Sequence, residues 1–182
     1  MTGHDRFFVI TGGPGAGKTS LLQALAASGH ACMPEAGRAV IRDQQAIGGP
    51  ALPWADPPAF AAQMLGWELR SHRLAADLPG PVFFDRGLPD LVGYLALEGC
   101  PVPPHVEAAA RLFRYNPTVF LAPHWPQIYV RDAERRQDPA EAEATMRMMA
   151  RTYPAFGYRL VTLPRTDIAA RARFVLETIA AD

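Results

Sequence analysis

The chain has 182 residues, of which 18 are Lys or Arg and 18 are Asp or Glu, so its formal net charge is zero. This balance gives no sign of a nucleic-acid or membrane partner, and the length suits one domain, residues 1–182, with a proper core. Two cysteines without a Cys-x-x-Cys pair argue against a zinc site and a disulfide scaffold. Since no signal peptide and no membrane-spanning apolar run is present, we expect a cytoplasmic protein.

The first predicted strand, residues 7–10, leads into a glycine-rich loop and then into a helix. From Gly12 to Thr19 the sequence fits G-x-x-x-x-G-K-[ST], the phosphate-loop pattern in which backbone N–H groups surround a phosphate at a helix N-terminus. An ordinary glycine-rich turn is the alternative. The pattern predicts that Lys18 reaches the β- and γ-phosphates and that Thr19 ligates Mg²⁺. The predicted nucleotide-binding residues are Gly13, Pro14, Gly15, Ala16, Gly17, Lys18, Thr19 and Ser20.

Lys18 is the only lysine of the chain, and all other cationic side chains apart from histidine are arginine. An ammonium is a compact charge, whereas a guanidinium is a planar fork. The use of lysine at this one position favours a site that needs the compact cation.

A weak strand is predicted over residues 30–33, and a helix follows it. Glu35 and Arg38 lie between the two, at the carboxyl edge of the predicted parallel sheet, which is where ligands bind in such folds. Both are therefore candidates for substrate binding, and Glu35 is also a candidate catalytic residue. The alternatives are a charge that complements the helix dipole for Glu35 and a solvated position for Arg38.

Residues 46–58 break all periodicity and are predicted to form a loop. Asp56 and Pro57 are typical of a helix N-cap and first turn, and the helix that follows extends to about residue 77. Trp54, in the loop, and Trp67, on the apolar face of the helix, are candidates to contact a ring-shaped substrate. Simple packing against the domain is the alternative for Trp54.

Three apolar residues ending in Asp85 predict a buried parallel strand whose last residue emerges at the ligand edge. A carboxylate there can hold Mg²⁺ or accept a proton from an attacking hydroxyl, so Asp85 is a candidate metal ligand and catalytic residue. Arg86 then supplies a planar fork for a substrate or phosphate oxygen. The alternative is that Asp85 caps the next helix and Arg86 lies on the surface, and Asp90 is equally typical of a helix start.

The remaining chain predicts helices over residues 88–98 and 104–114, a strand over 117–121, a helix over 139–153, a strand over 158–163 and a last helix capped by Thr166. The segment from about 122 to 140 is rich in arginine and acid. Long loops in compact domains are usually functional, so we expect a lid in which Arg131, Arg135 and Arg136 cover a triphosphate. An ion-paired, solvated charge run is the alternative. Because five strands alternate with helices, the fold class is α/β with a parallel sheet covered on both faces.

The phosphate loop, Glu35-x-x-Arg38, the strand ending in Asp85-Arg86-Gly87-x-x-Asp90 and the late Asp132-x-x-Arg135 together resemble the P-loop kinase family. The closest resemblance is to the AAA-labelled ATPase and kinase group that includes the ribosylnicotinamide kinase domain of NAD-salvage enzymes. The resemblance implies a three-layer P-loop fold with strand order 2-3-1-4-5, ATP and Mg²⁺ as donor, and a lid arginine at Arg135. It also implies an acidic residue that handles the acceptor hydroxyl, either Glu35 or Asp85.

The function expected from these features is a phosphotransferase that moves the γ-phosphoryl group of ATP to a hydroxyl of a small, nucleoside-like molecule. A regulatory nucleotide-binding ATPase without an acceptor is the alternative. A Ras-like switch is disfavoured because its guanine-binding Asn-Lys-x-Asp motif needs a second lysine. No residue set for clamping a nicotinamide or pyrimidine base is recognisable, so the acceptor stays open, as does the oligomeric state.

Overall fold

The structure is a computed structural model that describes residues 3–125 and 139–181. Its strands form one parallel sheet in the order β2-β3-β1-β4-β5, which confirms both the predicted fold class and the strand order. The strands are β1 (Phe7–Gly12), β2 (Ala31–Met33), β3 (Val82–Asp85), β4 (Thr118–Ala122) and β5 (Arg159–Thr162).

A short 3₁₀ helix, Gly3–Arg6, precedes β1, and the longer helices follow the predicted ranges closely. The largest difference is at the second helix, which begins directly after Glu35 and so contains Arg38, which the sequence analysis placed before it. The helices are α1 (Lys18–Ala27), α2 (Ala36–Ile47), α3 (Pro57–Ala76), α4 (Leu88–Leu97), α5 (Pro104–Leu112), α6 (Pro139–Ala155) and α7 (Ile168–Ala181).

Helices cover both faces of the sheet because successive side chains of each strand point to opposite sides. Phe7 and Val9 of β1 face one apolar cluster, to which α3, α4, α5 and α6 contribute. Phe8 and Ile10 face a second cluster built with α1 and α7. A third cluster joins α2, α3 and α4 beyond the sheet. Burial on both faces explains why the central strands are almost continuously apolar.

The sequence predicted the N-cap residues of two helices, and the structure agrees with one of these predictions. Asp56 caps α3 as predicted, since its Oδ1 accepts a hydrogen bond of 2.9 Å from the backbone N–H of Ala59. The prediction that Thr166 caps the last helix is wrong. The helix begins one residue later than expected, so Asp167 occupies the position before it and accepts a hydrogen bond of 2.8 Å from the Ala170 backbone N–H.

The predicted lid arginines Arg131, Arg135 and Arg136 lie outside the described residues, as does Asp132. Among the helices of the described ranges, none combines the length and the apolar character that crossing a membrane requires.

Candidate functional site

The phosphate loop joins β1 to α1 at the carboxyl edge of the sheet. Gly15 and Gly17 have φ angles of 74° and 82°, in the left-handed region that favours glycine, and α1 begins directly after Gly17. Gly13 is required for a different reason. A Cβ at this position would lie 2.1 Å from the carbonyl oxygen of Ala142, so the loop packs directly against the backbone of α6. The loop is thus shaped by its own turns and by a helix that follows the undescribed segment.

Lys18 lies inside this loop and is only 6% exposed. Its Nζ donates hydrogen bonds to the carbonyl oxygens of Gly12, at 3.3 Å, and Gly13, at 2.9 Å. Burial, followed by the nearby Arg86 guanidinium, lowers the pKa of Lys18 to about 8. The ammonium therefore remains largely protonated at neutral pH and is held beside the glycine backbone.

Asp85 ends β3 directly opposite Ile10 of β1, as the strand prediction implied. It is 3% exposed, and its Oδ1 has no hydrogen-bond partner among the described residues. Burial, followed by the charge of Glu35, raises the pKa of Asp85 to about 6. A buried carboxylate with an unsatisfied oxygen is costly unless something else completes its coordination.

Arg86 has a φ angle of 74°, the left-handed conformation, which costs a side-chain-bearing residue about 1–2 kcal/mol. Its guanidinium offsets this strain through three contacts: Nε donates to Glu35 Oε1 at 3.0 Å, and Nη1 donates to the Gly12 carbonyl at 3.0 Å and to Asp90 Oδ1 at 3.1 Å. Burial lowers the pKa of Arg86, but the carboxylates of Glu35 and Asp90 raise it by more, so it remains a cation. Arg86 is therefore not a surface residue; it ties the phosphate loop to two acids.

Asp90 caps α4, as the sequence indicated, but it does more than that. It is 4% exposed and accepts hydrogen bonds from Thr11 Oγ1 at 2.6 Å, from the Gly87 backbone N–H at 3.0 Å and from the Tyr153 hydroxyl. These donors lie on β1, at the start of α4 and on α6, and Arg86 adds a fourth. Asp90 thus links the strand before the phosphate loop with the helix that packs on it.

Glu35 stands immediately before α2 without capping it. Its Oε1 is paired with Arg86 and its Oε2 lies 3.5 Å from Nε of Arg38. Burial raises the pKa of Glu35, but Arg86 and Lys18 lower it by more, so the pKa falls below its usual value and the carboxylate is charged at neutral pH. The predicted site residues Glu35, Arg38 and Arg86 are therefore brought together at one place.

A cavity of about 720 Å³ begins at the phosphate loop and extends past these charges. Gly15, Lys18 and Thr19 line one end, which we call the donor half. The other end, the acceptor half, lies between α2, α3 and α4, with Glu35, Arg38 and Arg86 between the two halves. Trp54, 45% exposed, is also part of this wall. The apolar residues of the acceptor half are Ile41, Phe60, Met64, Leu91 and Tyr94.

Trp67 does not line this cavity, which corrects its prediction as a substrate-binding residue. It is half-buried, packs against the cluster between α2, α3 and α4, and faces a separate groove beside Gln44 and Gln63. The physical reason is its position on α3, where Met64 and Glu68 point toward the cavity and Trp67 falls on the flank of that stripe.

Glu68 is a cavity residue that sequence reasoning missed. It is 3% exposed and lies on the buried stripe of α3, one turn after Met64 and two turns after Phe60. Burial, followed by the charges of Asp90 and Asp85, raises the pKa of Glu68 well above its usual value. The signal that could have revealed it is a lone acid in the inward face of an otherwise apolar helical stripe.

The sheet order and the phosphate loop define a P-loop kinase-like protein. A family model described as an AAA domain matches residues 7–171, so the chain belongs to this family. The resemblance to P-loop kinase-like ATPases is thereby confirmed. A search of curated protein sequences found no match.

Solved structures with the same fold include several kinases. The deoxyadenosine kinase of M. mycoides, with dCMP and dCDP bound, superposes with a TM-score of 0.70 at 12% identity, over 97% of this chain and 100% of that one. The NadR protein in complex with NR gives 0.68 at 19% identity, over 98% of this chain and 51% of NadR. Shikimate kinase from Acinetobacter baumannii, in complex with shikimate, gives 0.57 at 14% identity, over 97% and 93%. At these identities the likeness shows the fold.

Proposed function

We propose that the protein is an ATP-dependent phosphotransferase that moves the γ-phosphoryl group of ATP to a hydroxyl of a small, nucleoside-like molecule. The observation that carries this proposal is the cavity itself. It does not end at the phosphate loop but continues into a largely apolar chamber large enough for a second molecule. A regulatory ATPase needs only the donor half.

In the donor half, the loop amides and the N-terminus of α1 surround the phosphates, and the Lys18 ammonium neutralises charge on the transferring group. The residues also fit a magnesium ion. Asp85 Oδ1 lacks a partner among the described residues, and the Thr19 hydroxyl is exposed at the start of α1. The Thr19 hydroxyl would hold Mg²⁺ directly and Asp85 would hold it through water, and the ion when bound neutralises charge on the β- and γ-phosphates. Within the described ranges, no group of three or more His, Cys, Asp or Glu side chains could hold a metal ion by itself.

Between the two halves, Glu35 accepts a hydrogen bond from the acceptor hydroxyl and takes its proton as the phosphoryl group is transferred. The choice between Glu35 and Asp85 follows from their positions. Glu35 lines the cavity, is partly exposed and is charged, whereas Asp85 is buried beneath the loop and is not a lining residue. Arg86 holds Glu35 in place and presents a guanidinium to the charge that develops in transfer.

The acceptor half suits a ring-shaped molecule, because Phe60, Tyr94 and Trp54 offer aromatic surface around it. Two of the three similar structures described above concern nucleoside-type ligands, namely the deoxyadenosine kinase and NadR with NR. This supports a nucleoside-like acceptor. The use of ATP as donor and a cytoplasmic location are further parts of the proposal.

The test is an assay for ADP formation by the purified chain with ATP and Mg²⁺, in the presence of single nucleosides, sugars or shikimate. We expect one class of acceptor to stimulate ADP formation well above the rate without acceptor, with a phosphorylated product confirmed by mass spectrometry. Turnover that no member of the panel stimulates, combined with tight nucleotide binding, would instead favour the regulatory ATPase.

A further inference from the structure

Glu68 is a buried acid to which the proposed transfer assigns no role. It is 3% exposed and lines the acceptor half, as do two apolar residues on the same face of α3, Phe60 and Met64. No hydrogen bond or ion pair joins it to any residue within 3–125 and 139–181. The fully buried side-chain atoms without a partner in the described residues do not include the Glu68 oxygens, so its carboxyl group opens onto the cavity, where a ligand can supply the missing partner.

The charges around Glu68 restrict what that ligand can be. Arg38 and Arg86, the arginines that the described structure places in the cavity, are both paired with Glu35, and Arg86 also with Asp90. Glu98 and Glu141 also line the cavity and add further carboxyl groups. Among the described residues that line the cavity, an anionic acceptor would therefore meet more acids than cations, and both arginines are already paired.

We propose that Glu68 is the specificity-determining residue of the acceptor half: its carboxyl group hydrogen-bonds an uncharged, ring-shaped acceptor, while the surrounding acids exclude anionic acceptors. This inference rests on the proposed function and names the acceptor class for the same site. The excluded acceptors comprise shikimate and the nucleoside monophosphates.

The direction of the Glu68 pKa shift agrees with this assignment. Burial, followed by the charges of Asp90 and Asp85, raises the pKa of Glu68 well above its usual value, which favours the protonated, uncharged carboxyl group. A protonated carboxyl group can donate one hydrogen bond and accept another. This suits an uncharged ring with a donor and an acceptor on adjacent atoms, as in the amide-like edge of a heterocyclic base.

Calorimetric titration of the full chain tests the inference, with AMP-PNP at saturation so that every probe is confined to the acceptor half. The probes are adenosine and cytidine, their 5′-monophosphates, shikimate as a second anion and nicotinamide riboside as a cation. We expect a nucleoside to bind, and its monophosphate to bind at least about 10-fold more weakly because of charge repulsion.

Two variants separate hydrogen bonding from shape. Glu68→Gln keeps a donor and an acceptor and should retain nucleoside affinity within about 3-fold, whereas Glu68→Leu should lose at least about 10-fold. Affinity for AMP-PNP should be the same in both. Glu68→Leu should also raise the Tm of the ligand-free protein by about 2–4 °C, because it replaces an acid in a largely buried, apolar setting by an apolar group of similar size. The matched control Glu107→Leu, at an exposed position of α5, should shift Tm by less than about 2 °C.

Three results would overturn the inference: preferential binding of an anion or of the cation, unchanged nucleoside affinity in Glu68→Leu, or a lower Tm in that variant. Failure of this inference is distinguishable from failure of the proposed function. If shikimate or a nucleoside monophosphate alone stimulates ADP formation, the kinase function stands and the role of Glu68 is lost. If no acceptor in the panel stimulates it, both are rejected.

Discussion

The two halves of the cavity are built in different ways. Apart from Asp85, the donor half comes from one continuous stretch, Gly12 to Thr19, which presents backbone amides, a single ammonium and the Thr19 hydroxyl to its ligand. The acceptor half collects side chains from α2, α3 and α4, which are far apart in sequence. Backbone groups recognise the phosphates common to all nucleotides, whereas side chains can differ between proteins. The comparison teaches that the donor half depends on one local motif, whereas the acceptor half depends on how α2, α3 and α4 pack together.

The strongest test of the donor half is Lys18→Ala. Removal of the only ammonium in the loop should lower kcat/KM by at least about 10³-fold, since it deletes the charge that faces the transferring group. Steady-state kinetics and a far-UV circular dichroism melt would check this result, and we expect the fold to persist. Lys18→Arg is the matched control and should also be impaired, because a planar guanidinium does not fit between the Gly12 and Gly13 carbonyls. Retained activity in Lys18→Ala would remove the site assignment altogether.

Glu35→Gln tests the proposed role of Glu35, which lies between the two halves of the cavity, as the base that takes the proton of the acceptor hydroxyl. It should lower kcat by about 10²-fold, because an amide cannot take the proton of the acceptor hydroxyl, while the KM for ATP changes by less than about 3-fold. Glu98→Gln, which alters another acid of the same cavity, should leave kcat nearly unchanged. If Glu35→Gln keeps its kcat, the role of base passes to Asp85.

The pH dependence of kcat/KM for ATP reports the donor half of the free enzyme. Asp85, with its pKa raised to about 6 by burial, must be ionised to hold Mg²⁺, so activity should fall as the pH drops below about 6. Lys18, with its pKa lowered to about 8 by burial, must be protonated, so activity should fall as the pH rises above about 8. The expected profile is a bell with a tenfold loss per pH unit on each side, about 1.4 kcal/mol. Asp85→Asn should remove the acid limb, and a profile that keeps this limb would reject the assignment.

The smallest effect is expected from substitution of the two tryptophans, which should change the KM for the acceptor to different extents. Trp54→Ala should raise the KM for the acceptor by about 3–10-fold, because an aromatic contact contributes roughly 0.5–1.5 kcal/mol. Trp67→Phe, which keeps most of the packing on the flank of α3, should leave the KM unchanged. An equal response to both substitutions would contradict the position assigned to the acceptor.

Most of the fold and the donor half could be predicted from the sequence because their signals are local. The phosphate loop is a run of eight residues, and Asp85 ends a short apolar run that is typical of a buried strand. The acceptor half was harder, since it depends on which side of α3 faces inward. A pattern of apolar residues placed Trp67 on that face and ignored Glu68, whereas the structure reverses both assignments.

The features that the sequence did not predict depend on contacts between residues that are far apart in the chain. Asp90 was interpreted as a helix start, but its contact with Tyr153 joins residues 63 positions apart and no local pattern contains it. In the same way, the proximity of Gly13 to Ala142 could not be predicted, because it depends on how α6 crosses the sheet. Such contacts arise only once the helices pack.

Because Lys18 is the only lysine in residues 1–182, a reagent that reacts with side-chain amines would label the donor half specifically. Lys18 is the only side-chain amine in this stretch, and its lowered pKa leaves more of the nucleophilic free base near pH 8 than an ordinary lysine would have. An amine-acylating reagent would therefore mark one side-chain position of the chain, and peptide mapping would locate it without ambiguity. If ATP slows the acylation of Lys18, the rate of acylation reports how much of the site is occupied by nucleotide. This measurement does not require an assay of turnover.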